Sequence, residues 1–168
     1  IVQKLVVAPI PRAAIVIGKG FGSGIRAISQ IIVIYILSYF LHININWSVY
    51  SIASVITFVF LGAILFSTFS LVIACIVKTR ERFMGIGQIL TMPLFFASNA
   101  IYPISNMPGW LKNIAHVNPL TYEVDALRAS MLVDSSSAYG LGLDFLYMLL
   151  VTAILTVIGT ILYPQLAR

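Results

Sequence analysis

No charged residue interrupts the chain from 27 to 77, and most of that stretch is apolar. A helix that crosses a bilayer takes about 20 predominantly apolar residues, so this run is too long for one span. The polar stretch HININWS at 42–48 divides it into expected spans over 27–45 and 49–77, and KTRER at 78–82 closes the second. A third span is expected over 83–102 and a fourth over 145–163, the last stopping at Pro164. Pro93 lies inside the third span, where it removes one backbone hydrogen bond and should kink the helix. Gly62, Ala63, Ser67, Ser70 and Ala74 recur along the second span, and small residues let helices approach closely in lipid. The pattern predicts an all-α integral membrane protein with four transmembrane helices in a single domain over 1–168.

Between the third and fourth spans the periodicity changes. Residues 106–117 read as a short helix with Pro108 in its first turn. Trp110, Leu111, Ile114 and Ala115 share one face of it, and Lys112, Asn113 and His116 share the other. Asn118 can cap a second helix that has Pro119 at its first position. Along that helix Leu120, Val124, Leu127 and Met131 form an apolar stripe, while Asp125 and Arg128 are spaced to pair on the polar side. The stretch VDSSSAYG at 133–140 is then a polar return loop. Two short amphipathic helices joined at Asn-Pro suit the outer interface, or a position dipping partway into the membrane under protein cover. An interfacial loop anchored by Trp110 and a structured lid over a pathway both fit.

Composition agrees with the pattern. Only 9% of the 168 residues are charged and 60% are hydrophobic, against about 25% charged in soluble domains. The net charge of +5 marks membrane topology rather than nucleic-acid binding. Lys4, Arg12, Lys19, Arg26, Lys78, Arg80, Arg82 and Arg168 fall on one side of four spans. Lys112 and Arg128 fall on the other, beside Glu123, Asp125 and Asp134. Basic residues favour the cytoplasmic side, so both termini are expected in the cytoplasm and 103–144 outside. Cys75 cannot pair within the chain, which excludes an internal disulfide framework.

Several chemical motifs fail on inspection. GKGFGSG at 18–24 lacks the Gly-Lys-Ser/Thr ending of a phosphate loop and the glycine spacing of a dinucleotide fingerprint. It reads instead as a flexible, closely packed approach to the first span. Ser23 is expected on the opposite membrane face from His42 and His116, so no nucleophilic triad assembles. Neither histidine has metal-ligand spacing to a cysteine or carboxylate. No acidic residue is expected deep within a span, which argues against a proton relay. Asn46-Trp47-Ser48 matches a glycosylation sequon, but its short loop disfavours modification. No catalytic residue, metal site or bound cofactor is expected on this chain.

FFASNAIYPISNMPGWLKNIAHVNPLTYEVDALR, at 95–128, resembles the C-terminal signature of the type-2 ATP-binding-cassette (ABC) exporter permeases. The match falls on Pro103, on Met107-Pro108-Gly109-Trp110-Leu111, on Asn118-Pro119-Leu120-Thr121, and on Arg128. Where relatives often carry Ser-Gly before the outer proline, Ser98-Asn99 stands here. QKLVVAPIPRAAIVIGK at 3–19 resembles the family's cytoplasmic loop that docks on the ATPase, through Leu5, Val6, Pro9, Pro11, Arg12, Gly18 and Lys19. Pro9 and Pro11 would end a short helix before a new one starts near Ala13. On residues alone, a basic segment lying on anionic lipid fits that stretch as well.

The resemblance implies the last four spans of a six-span fold, so Ile1 is expected to begin mid-loop in a longer protein. It further implies a permease in the plasma membrane, paired with a second copy or a paralogue and driven by a separate ABC ATPase that holds ATP and Mg. Gln3, Lys4, Leu5, Val6, Pro9, Pro11 and Arg12 would couple to that ATPase. Pro103, Pro108, Trp110, Leu111, Asn118, Pro119 and Arg128 would form the external gate. The expected cargo is an amphiphile such as a drug, a lipid or a glycan. The alternative reading is a membrane assembly or anchoring protein that transports nothing.

Overall fold

In the computed structural model the described residues are 12–77, 79–133 and 135–162. They form six α-helices: α1 (Arg12–Phe40), α2 (Val49–Val77), α3 (Arg80–Phe96), α4 (Gly109–Val117), α5 (Pro119–Met131) and α6 (Leu141–Leu162). A 3-10 turn at Ile104–Asn106 precedes α4. Among the described residues, three helices are long and apolar enough to cross a membrane: α1 over Ile17–Phe40, α2 and α6. The helix α3, expected as a full span, has 17 residues.

The helix α2 is the axis of the structure and packs against α1, α6 and α5, and more sparingly against α3. Near its start, Val55 joins Ile31 and Tyr35 of α1 and Ile45 of the connecting loop. At its middle, Phe58, Leu61 and Leu65 meet Ala126 of α5 and Met148 of α6. Toward its end, Leu71 and Cys75 pack with Leu162. Of the five small residues expected to line its interface, Gly62 alone is buried; large side chains do most of the covering. Threonines in these helices turn their hydroxyls back to carbonyls four residues earlier, as at Thr57, Thr68, Thr152, Thr156 and Thr160. That satisfies a polar group without a partner helix.

Several boundaries differ from those the pattern predicts. The helix α6 begins at Leu141 rather than 145, so Asp144 lies in its first turn, and α3 begins at Arg80 rather than 83. Two larger differences are at α1 and at the end of α3. The first helix begins at Arg12, close to the start expected near Ala13, but runs straight through the glycine-rich segment and stops at Phe40 instead of 45. Gly20 and Gly24 are four apart and so share a face. A side-chain carbon on Gly20 would press on Ile64 at 3.1 Å, and one on Gly24 would overlap the Phe60 ring. Phe21 also meets Phe60 edge to face, with ring centroids 5.3 Å apart. The glycines weaken the helix by about 1 kcal/mol each, and close contact with α2 offsets that. His42 then adopts φ 54°, which ends the helix.

The second difference is at α3, which stops at Phe96 rather than 102. Pro93 lies in its last turn. Beyond it the Ala97 N–H bonds Pro93 O, while the Ser98 N–H shortens its reach to Phe95 O, 3.2 Å away. Ser98 and Asn99 are buried as the chain turns.

Gly24→Leu should push α1 off α2 and cost about 1–3 kcal/mol. Gly22, which has open space around it, should accept leucine without loss. Melting temperatures of the purified variants in detergent check this, and equal effects at both positions would contradict the packing.

Candidate functional site

The candidate site is the α4–α5 hairpin with its anchors. Its turn is built on Asn118, whose extended backbone (φ −78°, ψ 115°) is what a residue before proline prefers. Oδ1 of Asn118 accepts the Leu120 N–H at 3.1 Å, capping α5 as expected. Its Nδ2 donates to Leu94 O at 2.7 Å. That carbonyl is the one the helix ladder skips when the Ser98 N–H turns to Phe95 O. One buried side chain therefore starts α5 and satisfies the end of α3. Thr121, fully buried, adds a longer bond from Oγ1 to Ala97 O at 3.4 Å.

A polar network holds the far side of α5. Asp125 is 3% exposed. Its Oδ1 accepts from Asn99 Nδ2 at 3.4 Å. Its Oδ2 accepts from Ser137 Oγ at 2.9 Å, from the Ala138 N–H at 2.8 Å and from the Tyr139 N–H at 3.4 Å. Arg128 donates to Asn99 O at 2.8 Å. The expected Asp125–Arg128 surface pair is thus replaced by two separate attachments, because both residues turn inward to the end of α3 and the return loop. Asn99 also accepts the Ile104 N–H through Oδ1, at 3.2 Å.

Tyrosines brace the hairpin against α6. Tyr122 and Tyr147 stack with centroids 4.0 Å apart, and Tyr139 lies against Tyr122 at 5.1 Å. The Tyr122 hydroxyl donates to His116 O and the Tyr147 hydroxyl to Val117 O, each at 2.8 Å. These are final carbonyls of α4, which have no partner within the helix.

Along α2 the hairpin makes one hydrogen bond and one close approach. The Ser51 hydroxyl donates to Ser130 O near the start of α2. Deeper, the Glu123 carboxylate occupies the space that a side chain on Gly62 would need. Gly62 lies at the middle of the 29-residue helix. Sequence reasoning counted Glu123 among the outer charges; the cue it passed over is a glycine midway along a helix of bulky residues. Glu123 Oε2 is buried without a hydrogen-bond partner among the described residues, and burial pushes the carboxyl up from 4.5 to about 7. Beside α5, an apolar cavity of about 350 Å³ opens between α2 and α3, with Phe66, Phe69, Phe83, Leu94 and Leu120 among its walls.

The sequence-predicted residues divide in this structure. Asn118, Pro119 and Arg128 belong to the anchored hairpin. Pro103, Pro108 and Trp110 are exposed and Leu111 half-buried, on the approach to it. Pro108 caps α4 from outside rather than sitting within its first turn. Gln3, Lys4, Leu5, Val6, Pro9 and Pro11 lie outside the described residues, as does the side chain of Arg12. Among the described residues no group of three or more His, Cys, Asp or Glu could hold a metal ion.

The ABC-2 type transporter family matches residues 1–132. The chain is 32% identical over 127 residues to ycf38 of Cyanophora paradoxa, whose name assigns it provisionally to the transport permeases; 75% of this chain and 43% of that protein are covered. It is 25% identical over 131 residues to the inner membrane transport permease YadH of Escherichia coli K12, covering 78% of this chain and 50% of the relative. YbhR of the same organism, named provisionally as a multidrug ABC transporter permease, is 32% identical over 69 residues, covering 40% of this chain and 18% of the relative. The chain spans half the length or less of these relatives. No solved structure matches it.

Between pH 4.5 and 7 the unfolded chain releases the Glu123 proton while the folded chain retains it. Glu123 should therefore make stability fall as pH rises through that window. Melting temperature measured across it should decline more steeply for the wild type than for Glu123→Gln; parallel curves would contradict the burial.

Proposed function

The chain belongs to the ABC-2 type transporter family, and from that premise we propose that it is the membrane-spanning permease part of an ATP-driven exporter. The family match over 1–132 is the observation that carries this reading. Two copies, or this chain and a paralogue, line a pathway at their interface. ATP and Mg are held and hydrolysed by a separate ATPase subunit. Both termini face the cytoplasm of a plasma membrane, as the placement of lysine and arginine favours.

Coupling runs through Gln3, Lys4, Leu5, Val6, Pro9, Pro11 and Arg12, a short proline-bounded knob suited to a socket on the ATPase. The outer gate is the α4–α5 hairpin, re-entering from outside, with Pro103, Pro108, Trp110 and Leu111 at its approach and Asn118, Pro119 and Arg128 at its seat. Attachment of the hairpin to α3 through Asn118 and to α6 through the tyrosines supports the gate reading. Movement of the spans reaches the hairpin through these bonds. ATP must favour one conformation by several kcal/mol to move the population decisively. The cargo is an amphiphile, whether drug, lipid or glycan. The apolar cavity beside Leu120 supports an apolar portion on it.

Leu5→Asp or Pro9→Leu should strip the ATPase from the purified permease while leaving the permease in the membrane. Copurification of the two subunits measures this. Undiminished ATPase in both variants would remove the coupling role and favour an anchoring protein.

A further inference from the structure

The return loop between α5 and α6 folds around one hydroxyl that has more neighbours than one proton can serve. Ser137 Oγ lies 2.9 Å from Asp125 Oδ2 and 2.8 Å from Asp144 Oδ2. It also accepts the Gly140 N–H at 2.6 Å. A serine hydroxyl has one proton to donate and two lone pairs to receive with. The glycine takes one lone pair, so the hydroxyl proton can reach only one of the two carboxylates. The other carboxylate would face the remaining lone pair, oxygen to oxygen, unless it carries a proton of its own.

The surroundings decide which one does. Asp125 receives N–H bonds at both oxygens, from Asn99, Ala138 and Tyr139. That is the environment of an ionised carboxylate. Asp144 is 0% exposed, and its Oδ1 has no hydrogen-bond partner among the described residues. An ionised carboxylate there would be a buried charge with a single hydrogen bond, whereas a neutral acid leaves only one carbonyl oxygen unmatched. Facing the pair, Arg128 on α5 bonds Asn99 O through one guanidinium nitrogen, and its single positive charge is matched by one ionised carboxylate, Asp125. Tyr139 in the loop and Tyr122 on α5 are phenols, and His116 of α4 meets the Tyr139 hydroxyl. The helix α2 carries no Asp, Glu, Lys, Arg or His to compensate a second charge. Of the described charged side chains on α1, Lys19 and Arg26, Lys19 lies near Cys75, which packs with Leu162 at the far end of α6 from Asp144.

We propose that Asp144 is a proton-binding site: its Oδ2 carries a proton donated to Ser137 Oγ, and Ser137 donates its own to ionised Asp125. One bound proton thereby closes the loop onto α5 and α6. Without it, two carboxylates meet one hydroxyl and the latch between the hairpin and α6 loosens.

The test uses the full-length permease with its ATPase, purified at neutral pH. Asp144→Asn keeps the shape and an N–H donor for Ser137, so its melting temperature should stay within about 2 °C of wild type. Asp125→Asn sets an amide N–H against a donor in either orientation, against Asn99 Nδ2 on one side or the Ala138 and Tyr139 N–H groups on the other, and should lose roughly 3–10 °C. In a Glu123→Gln background, infrared spectra should show the carbonyl stretch of a protonated carboxylic acid. That band should vanish on Asp144→Asn. If Asp125→Asn does not accumulate, the band decides alone. Persistence of the band in Asp144→Asn, or equal destabilisation by the two asparagines, would overturn the assignment.

Discussion

Where α3 ends among apolar neighbours, its last carbonyls need donors that water cannot readily supply. Asn118 supplies one to Leu94 while its other amide atom caps α5. This single side chain makes the break after Phe96 and the beginning of the hairpin one structural event. Everything beyond depends on it. The position of α5 sets where Asp125 and Arg128 meet Asn99, and those bonds set where the return loop can close on α6. A hairpin without this seat would leave a helix end and a helix start each short of a partner.

The hairpin is held at two levels of α2. Ser130 meets Ser51 near one end, and Glu123 meets Gly62 midway, so α5 lies along half of the longest apolar run in the chain. Glycine is required at 62 for space rather than backbone freedom. A carboxyl in that position is tolerated chiefly as a neutral acid, which is the direction burial drives it. Thr121, Asp125 and Ser130 of α5 thus face inward, and none of its residues is fully exposed.

The same inversion explains what could and could not be read from the sequence. The helix α2 was legible to the residue, because polar stretches bound an unbroken apolar run. The α4–α5 junction was legible because Asn-Pro has few alternatives to a cap. The start of α1 was close to expectation, but its continuation through 18–24 was not, since glycines weaken a helix unless a neighbour packs into the space they leave. Phe60 and Ile64 are that neighbour, and they are distant in sequence. Asp125 and Arg128 looked like a surface pair by their spacing. Their inward attachment depends on Asn99 and Ser137, which no local periodicity connects to them. The depth of Glu123 was hidden for the same reason.

Gating by the hairpin is tested most directly by distance. A spin label at Trp110→Cys, in a Cys75→Ser background within the assembled transporter, reports the separation of the two hairpins. Trapping the ATPase with ATP should shift that distance distribution relative to the nucleotide-free state. An unchanged distribution in a complex that hydrolyses ATP would contradict a gate at this site.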